Sequence, residues 1–108
     1  EISPYAKTNV VQLKSGKISE ITIDPKKINI NADKFENLVG DNAKFNADKM
    51  INIFKGKDND FSKAVCLNAA AGLIVNETHQ SFIDAYKNAR EHILSGQTFN
   101  HLETIQND

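Results

Sequence analysis

Lys63-Ala-Val-Cys-Leu-Asn-Ala-Ala-Ala-Gly-Leu-Ile-Val75 decides how the rest of the chain is read. Between Ala64 and Val75 only Asn68 carries a polar side chain, and Gly72 is the only other residue outside the apolar set. Wound as a helix, the stretch rises about 18 Å, short of the ~20 apolar residues that span a bilayer. A helix apolar on every side has to be wrapped by protein instead. Ala69, Ala70, Ala71 and Gly72 predict a small-residue surface on which neighbours approach closely. The stretch therefore reads as a buried central helix, capped by Asn59 or Asp60 and stopping near Asn76, with the rest of the chain as its jacket. A packing core of this kind names no function.

Working outward, residues 1–7 read as a loop broken by Pro4. Thr8 to Lys14 and Lys17 to Ile23 are rich in β-branched residues and flank Ser15-Gly16, which predicts a hairpin. A two-residue turn would pair Val11 with Glu20 and mix the faces. A three-residue loop ending at Lys17 would gather Val11, Leu13, Ile21 and Ile23 on one face, and burial argues for that register or for a bulge. Asp24-Pro25 ends the strand. Lys26 to Ala32 reads as irregular chain, and Asp33 to Val39 as a short helix capped by Asn31 or Asp33 and closed by Gly40.

Helical periodicity dominates the rest of the chain. Ala47, Met50, Ile51 and Phe54 form one stripe of a helix over about Lys44 to Lys55. After the central helix, Phe82, Tyr86, Ala89 and Ile93 line a helix predicted from an N-cap at Thr78 to Ser95. Phe99, Leu102 and Ile105 mark a last helix from about Thr98 to Ile105. The fold class is α+β: a β-hairpin and about five helical segments around the buried Ala-rich helix. Two strands alone do not make a stable sheet. Either the helices cover one face of the hairpin, or it belongs to a larger mixed sheet, and the second is the expectation. Open strand edges would then favour self-association.

The 108 residues suit one small domain or a piece of a larger one. Thirteen basic and 14 acidic residues leave a formal charge of −1 with no block of one sign, which argues against a nucleic-acid or anionic-membrane footprint. The single Cys66 has no internal disulfide partner and reads as a reduced core thiol. With no signal-peptide pattern and no transmembrane run, the cytoplasm is the expected compartment.

Little in the composition points to chemistry. The glycines at 16, 40, 56, 72 and 96 are too scattered for a phosphate-cradling loop. His79, His92 and His101 lack a metal-ligand spacing and read as surface residues. Cys66 has no flanking charge in its helix and reads as inert. Asp41 is expected to cap the helix that comes after it. Asn68 has to satisfy its amide inside the fold, which predicts a hydrogen bond to a neighbouring loop. Lys26 and Lys27 offer charge for a phosphate but read first as solvated surface.

The order of motifs adds a resemblance. Glu1-Ile-Ser3 precedes the hairpin and Asp24-Pro25; then come Gly40-Asp41, Asn46-Ala47, Leu67-Asn-Ala-Ala-Ala-Gly-Leu73, Ala89-Arg-Glu91 and Ser95-Gly96. In combination these resemble the C-terminal third of the anthranilate phosphoribosyltransferase family, over essentially all 108 residues. The pyrimidine nucleoside phosphorylases, which share that fold, are a less close match.

The resemblance implies that residues 1–108 are the C-terminal portion of a glycosyltransferase-family-3-like α/β domain, and a fragment of a longer enzyme. It implies transfer of phosphoribosyl from phosphoribosyl pyrophosphate to anthranilate in tryptophan biosynthesis, with Mg²⁺ neutralising the departing pyrophosphate. Glu1 matches the second member of the family's metal-facing Asp-Glu pair. Pro4-Tyr5 departs from the small polar residues expected beside a metal or phosphate. A homo-oligomer without nucleic-acid or membrane partners is the expected state, and the 108 residues alone are expected to be inactive. The competing readings are a non-catalytic α+β interaction module and a piece of a nucleoside phosphorylase.

Overall fold

The computed structural model describes residues 1–107. Its central element is the apolar stretch itself, a helix over Asp60–Val75, with Asn59 as N-cap. Asn59 accepts from the Ser62 backbone N–H, and Ser62 Oγ accepts from the Asn59 N–H, so a capping box closes the helix start. The helix ends where Glu77 turns left-handed (φ 58°), with the Thr78 N–H bonded to the Leu73 carbonyl and the Glu77 N–H to that of Ile74. This is a Schellman closure built without glycine.

Around this helix the chain forms strands β1 (Thr8–Lys14) and β2 (Lys17–Ile23), then 3₁₀ turns at Pro25–Ile28 and Phe35–Leu38. Helices α1 (Ala43–Phe54), α2 (Asp60–Val75), α3 (Phe82–Leu94) and α4 (Gln97–Asn107) complete the order. The α+β class stands, with the hairpin and four α-helices among the described residues. The core is the α2–α3 contact. Cys66, Leu67 and Ala70 of α2 meet Ala85, Tyr86, Ala89 and Ile93 of α3, and Ile2, Ile30 and Ile53 close the cluster.

The jacket is incomplete. Ala69 and Gly72 are exposed, Val75 is 83% exposed, and nothing lies within 4 Å of a Cβ built on Gly72. The small-residue surface is therefore only partly used: Ala70 is buried against neighbours, whereas Ala69 and Gly72 face outward. Apolar character on all sides marks what a helix can bury, not what these residues cover.

The hairpin corrects the expected register. Val10 pairs with Ile21, Val11 with Glu20 and Leu13 with Ile18, around a two-residue Ser15-Gly16 turn with positive φ at both positions. That geometry marks a type I′ turn, whose twist matches the strands it joins. The turn prevails because burial has little hold here. The base of the hairpin, at Ile23, packs on the core, and a groove of about 560 Å³ separates its inner face from the C-terminal end of α2. Val11, Leu13 and Ile18 stand exposed on the outer face.

Other boundaries move for local reasons. Pro25 and the Asp24 side chain, which accepts from the Lys26 N–H, wind residues expected to be irregular into a 3₁₀ turn. The helix expected over Asp33 to Val39 shrinks to a 3₁₀ turn at Phe35–Leu38, preceded by Lys34 with no side-chain cap. Ser81 rather than Thr78 caps α3, because the Thr78 hydroxyl and N–H are both taken by the Leu73 carbonyl. In α1 the buried anchor is Ile53, which the predicted stripe omitted, while Ala47 is exposed; the first turns of the helix lie in solvent.

Candidate functional site

Asn68 emerges from the apolar helix as a clamp on the start of the chain. Its Oδ1 accepts the Ile2 N–H at 2.9 Å, and its Nδ2 donates to the Ile2 carbonyl at 3.1 Å. The second Nδ2 hydrogen goes to the Ala64 carbonyl at 2.9 Å, one turn back in α2. One amide thus mimics a strand partner for the backbone of a single residue, and the expected bond from Asn68 to a neighbouring loop is present. Ile2 is itself buried, so packing and hydrogen bonds hold the same point. The loop beyond it is tied internally. The Ser3 N–H bonds Thr8 Oγ1, Ser3 Oγ accepts from the Tyr5 and Ala6 N–H groups, and the Tyr5 hydroxyl donates to the Lys34 carbonyl. Pro4 is buried, which gives the unexpected Pro4-Tyr5 pair a packing role.

Glu1 therefore projects, exposed, from a segment whose next residue is fixed on α2. Magnesium takes oxygen donors and commonly one or two protein carboxylates. Glu1 supplies one, and among the described residues no group of three or more His, Cys, Asp or Glu is placed to hold a metal.

A second clamp of the same design explains another quoted motif. Asn46 Oδ1 accepts the Asp41 N–H at 3.0 Å and Asn46 Nδ2 donates to the Asp41 carbonyl at 2.9 Å. The amide lies where a side chain on residue 40 would go: a Cβ built on Gly40 would sit 2.7 Å from Asn46 Oδ1. Gly40-Asp41 and Asn46 form one unit. The cap of α1 is Asn42, which accepts the Phe45 N–H at 3.0 Å, and not Asp41 as the sequence suggested.

Sequence reasoning assigned Asp60 only a capping role, yet it is the most heavily engaged carboxylate. Buried at the first turn of α2, its Oδ2 accepts from the Asp33 N–H at 2.9 Å and Asn37 Nδ2 at 2.8 Å, and Oδ1 pairs with Lys63 at 3.0 Å. Burial alone would push its pKa up. The bonds from Asn37, Lys63 and the Asp33 N–H, with the charge of Lys63, outweigh it and hold the group at about 2, against 3.8 ordinarily. The hint in sequence was a carboxylate three residues before a lysine on one helix face; its loop partners had no sequence signal.

The remaining candidates stay apart. The rings of His79 and His92 hydrogen-bond the nearby hydroxyls of Thr78 and Thr98, half-buried His79 also lines the groove under the hairpin, and His101 is exposed on α4. Cys66 is buried, and that burial pushes its thiol up to about 11, which disfavours the thiolate. Lys27 lines a groove with Lys63, Lys87 and Arg90, while Lys26 is exposed outside it.

Comparison with known proteins places these features. A family profile described as glycosyl transferase family, a/b domain, matches residues 1–99. The anthranilate phosphoribosyltransferase of Pelagibacter ubique is 75% identical over 107 residues, covering 99% of this chain and 32% of that protein. Proteins of the same name from Pseudoalteromonas translucida and Alkaliphilus metalliredigens are each 33% identical, over 97% of this chain and 30% and 31% of their own lengths. The chain thus spans about a third of the length of the curated relatives it matches. With the matched profile covering the Glu1 segment, both asparagine clamps and the α2–α3 core, the chain belongs to the glycosyl transferase family, a/b domain.

Proposed function

We propose that this chain is part of an anthranilate phosphoribosyltransferase, moving phosphoribosyl from phosphoribosyl pyrophosphate to the amine of anthranilate in tryptophan biosynthesis. The observation that carries the reading is the 75% identity, over nearly the whole chain, to the Pelagibacter enzyme. In this reading Glu1 contributes one carboxylate to a magnesium ion whose other donors are not among these residues. Asn68 fixes the backbone from which that carboxylate projects, since it holds both polar groups of Ile2. The protein works in the cytoplasm as a homo-oligomer. Among the described residues no helix is long and apolar enough to cross a membrane.

The 108 residues are inactive alone in this reading, because one carboxylate without a phosphate loop does not bind or orient the pyrophosphate. The test is consumption of anthranilate with phosphoribosyl pyrophosphate and Mg²⁺, by the protein as its gene encodes it and by these 108 residues. Activity in the first and none in the second is expected. A first protein that leaves anthranilate untouched but cleaves a pyrimidine nucleoside with phosphate would replace the transferase by a phosphorylase.

A further inference from the structure

A groove of about 680 Å³ lies between the turn at residues 27–31 and α3, and neither Glu1 nor Asn68 lines it. Its cations come from three separate elements: Lys27 from the first 3₁₀ turn, Lys63 from α2, and Lys87 and Arg90 from α3. Arg90 is paired with Asp58, and Lys63 with Asp60 and the Asn31 carbonyl. Lys27 and Lys87 are exposed and, among the described residues, have no carboxylate within ion-pair distance. Two positive charges are therefore left over, in a chain whose formal net charge is −1. Four cations line the groove against the one carboxylate of Asp58, and a concave surface with an excess of one sign of charge concentrates the opposite ion.

Between these cations the wall is mixed: Ile28, Ile83 and Tyr86 alternate with Asn29, Asn31 and Asp58. Ile83 and the largely buried Tyr86 share the α3 face that carries Lys87 and Arg90, and Ile28 lines the side of the turn. We propose that this groove binds an organic phosphate monoester, its phosphate between Lys27 and Lys87 and its organic part against Ile83 and Tyr86. A phosphate monoester carries about −1.5 to −2 charges near neutral pH, which balances the two unpaired lysines. The Asp58–Arg90 pair keeps Asp58 from opposing the anion, and Lys63, tied to the Asn31 carbonyl, holds the turn that presents Lys27.

The test is a titration of the chain with phenyl phosphate and with inorganic phosphate, at constant ionic strength in chloride, read by amide chemical shifts. Saturable shifts confined to residues 27–31, Lys63 and the Ile83 to Arg90 face are expected, with phenyl phosphate at least threefold tighter than inorganic phosphate. Lys27→Glu with Lys87→Glu should weaken binding at least tenfold, and Lys14→Glu with Lys17→Glu on the hairpin should change it less than twofold. Equal shifts at the hairpin lysines, no saturation above the chloride control, or no advantage for phenyl phosphate would overturn the proposal. The shift map of the unmodified chain decides the matter even if a charge-reversed variant does not fold.

Discussion

Leu67 and Leu13 are the same residue in two different worlds. Leu67, in α2, has no solvent exposure and is enclosed by the α3 face of Ala85, Tyr86 and Ala89; Leu13, in β1, is 70% exposed. Around Leu67 every polar group has a fixed partner: Asn68 grips Ile2, Asp60 collects three donors, and Ser62 completes a cap. Around Leu13 the strands share only each other, with Val11 and Ile18 open on the same face. In the first region burial decides where side chains go. In the second, local backbone geometry does.

The contrast breaks most sharply under truncation. Leu67→Ala removes fully enclosed methyl groups and leaves a cavity that rigid helices fill poorly, so a loss of about 3 kcal/mol is expected. Leu13→Ala should cost less than about 0.5 kcal/mol, because its side chain already meets water. Urea unfolding of both variants measures the difference. Equal losses would mean that the outer face of the hairpin is covered in solution.

Asp60 sharpens the same contrast through pH. Its folded pKa, near 2, lies below the ordinary 3.8, so the carboxylate stabilises the fold fully above about pH 4. That contribution is lost as the pH falls from 3.8 through 2. The gap corresponds to about 2 kcal/mol. Unfolding of the wild type and of Asp60→Asn at pH 5 and pH 2 reads it directly. The advantage of the wild type should shrink by roughly that amount at the lower pH. Parallel curves would show that the bonds from Asn37, Lys63 and the Asp33 N–H do not favour the charged form.

The two regions are also unequally legible in sequence, for the same reason. The α2 stretch and the Phe82–Tyr86–Ala89–Ile93 stripe are readable because a helix that buries a face must show it every three or four residues. Asn68 is readable as a bond-maker because an amide inside an apolar run has to be satisfied. What it grips is not, since Ile2 lies 66 residues away. Ile53 escapes because only the last turns of α1 touch the body, so its stripe is too short to set a phase. Asp60 looks like a cap because its partners, the Asp33 amide and Asn37, belong to an irregular loop without periodicity. The register of the hairpin is misread by asking which pairing buries most, where the inner face is no more than half-buried at Val10 and Gln12 and the outer face is open.

That error can itself be tested, with the smallest effect of the three. If the turn sets the register, improving the turn should strengthen the hairpin without touching a single side-chain contact in it. Ser15 sits at φ 51° and Gly16 at φ 73°. Serine accepts a positive φ less readily than asparagine, and Asn-Gly is the favoured type I′ pair. Ser15→Asn should therefore stabilise the chain by about 0.5 kcal/mol and slow amide exchange across the pairs Val10–Ile21 and Gln12–Ser19. Exchange at Leu67 and Ala70 should be unchanged under conditions where only local opening is seen. A register governed by burial would respond otherwise. The variant would then leave hairpin exchange as it was, and a change on the inner face, such as Val10→Thr, would shift it instead, because the groove beneath that face would be where the pairing is decided.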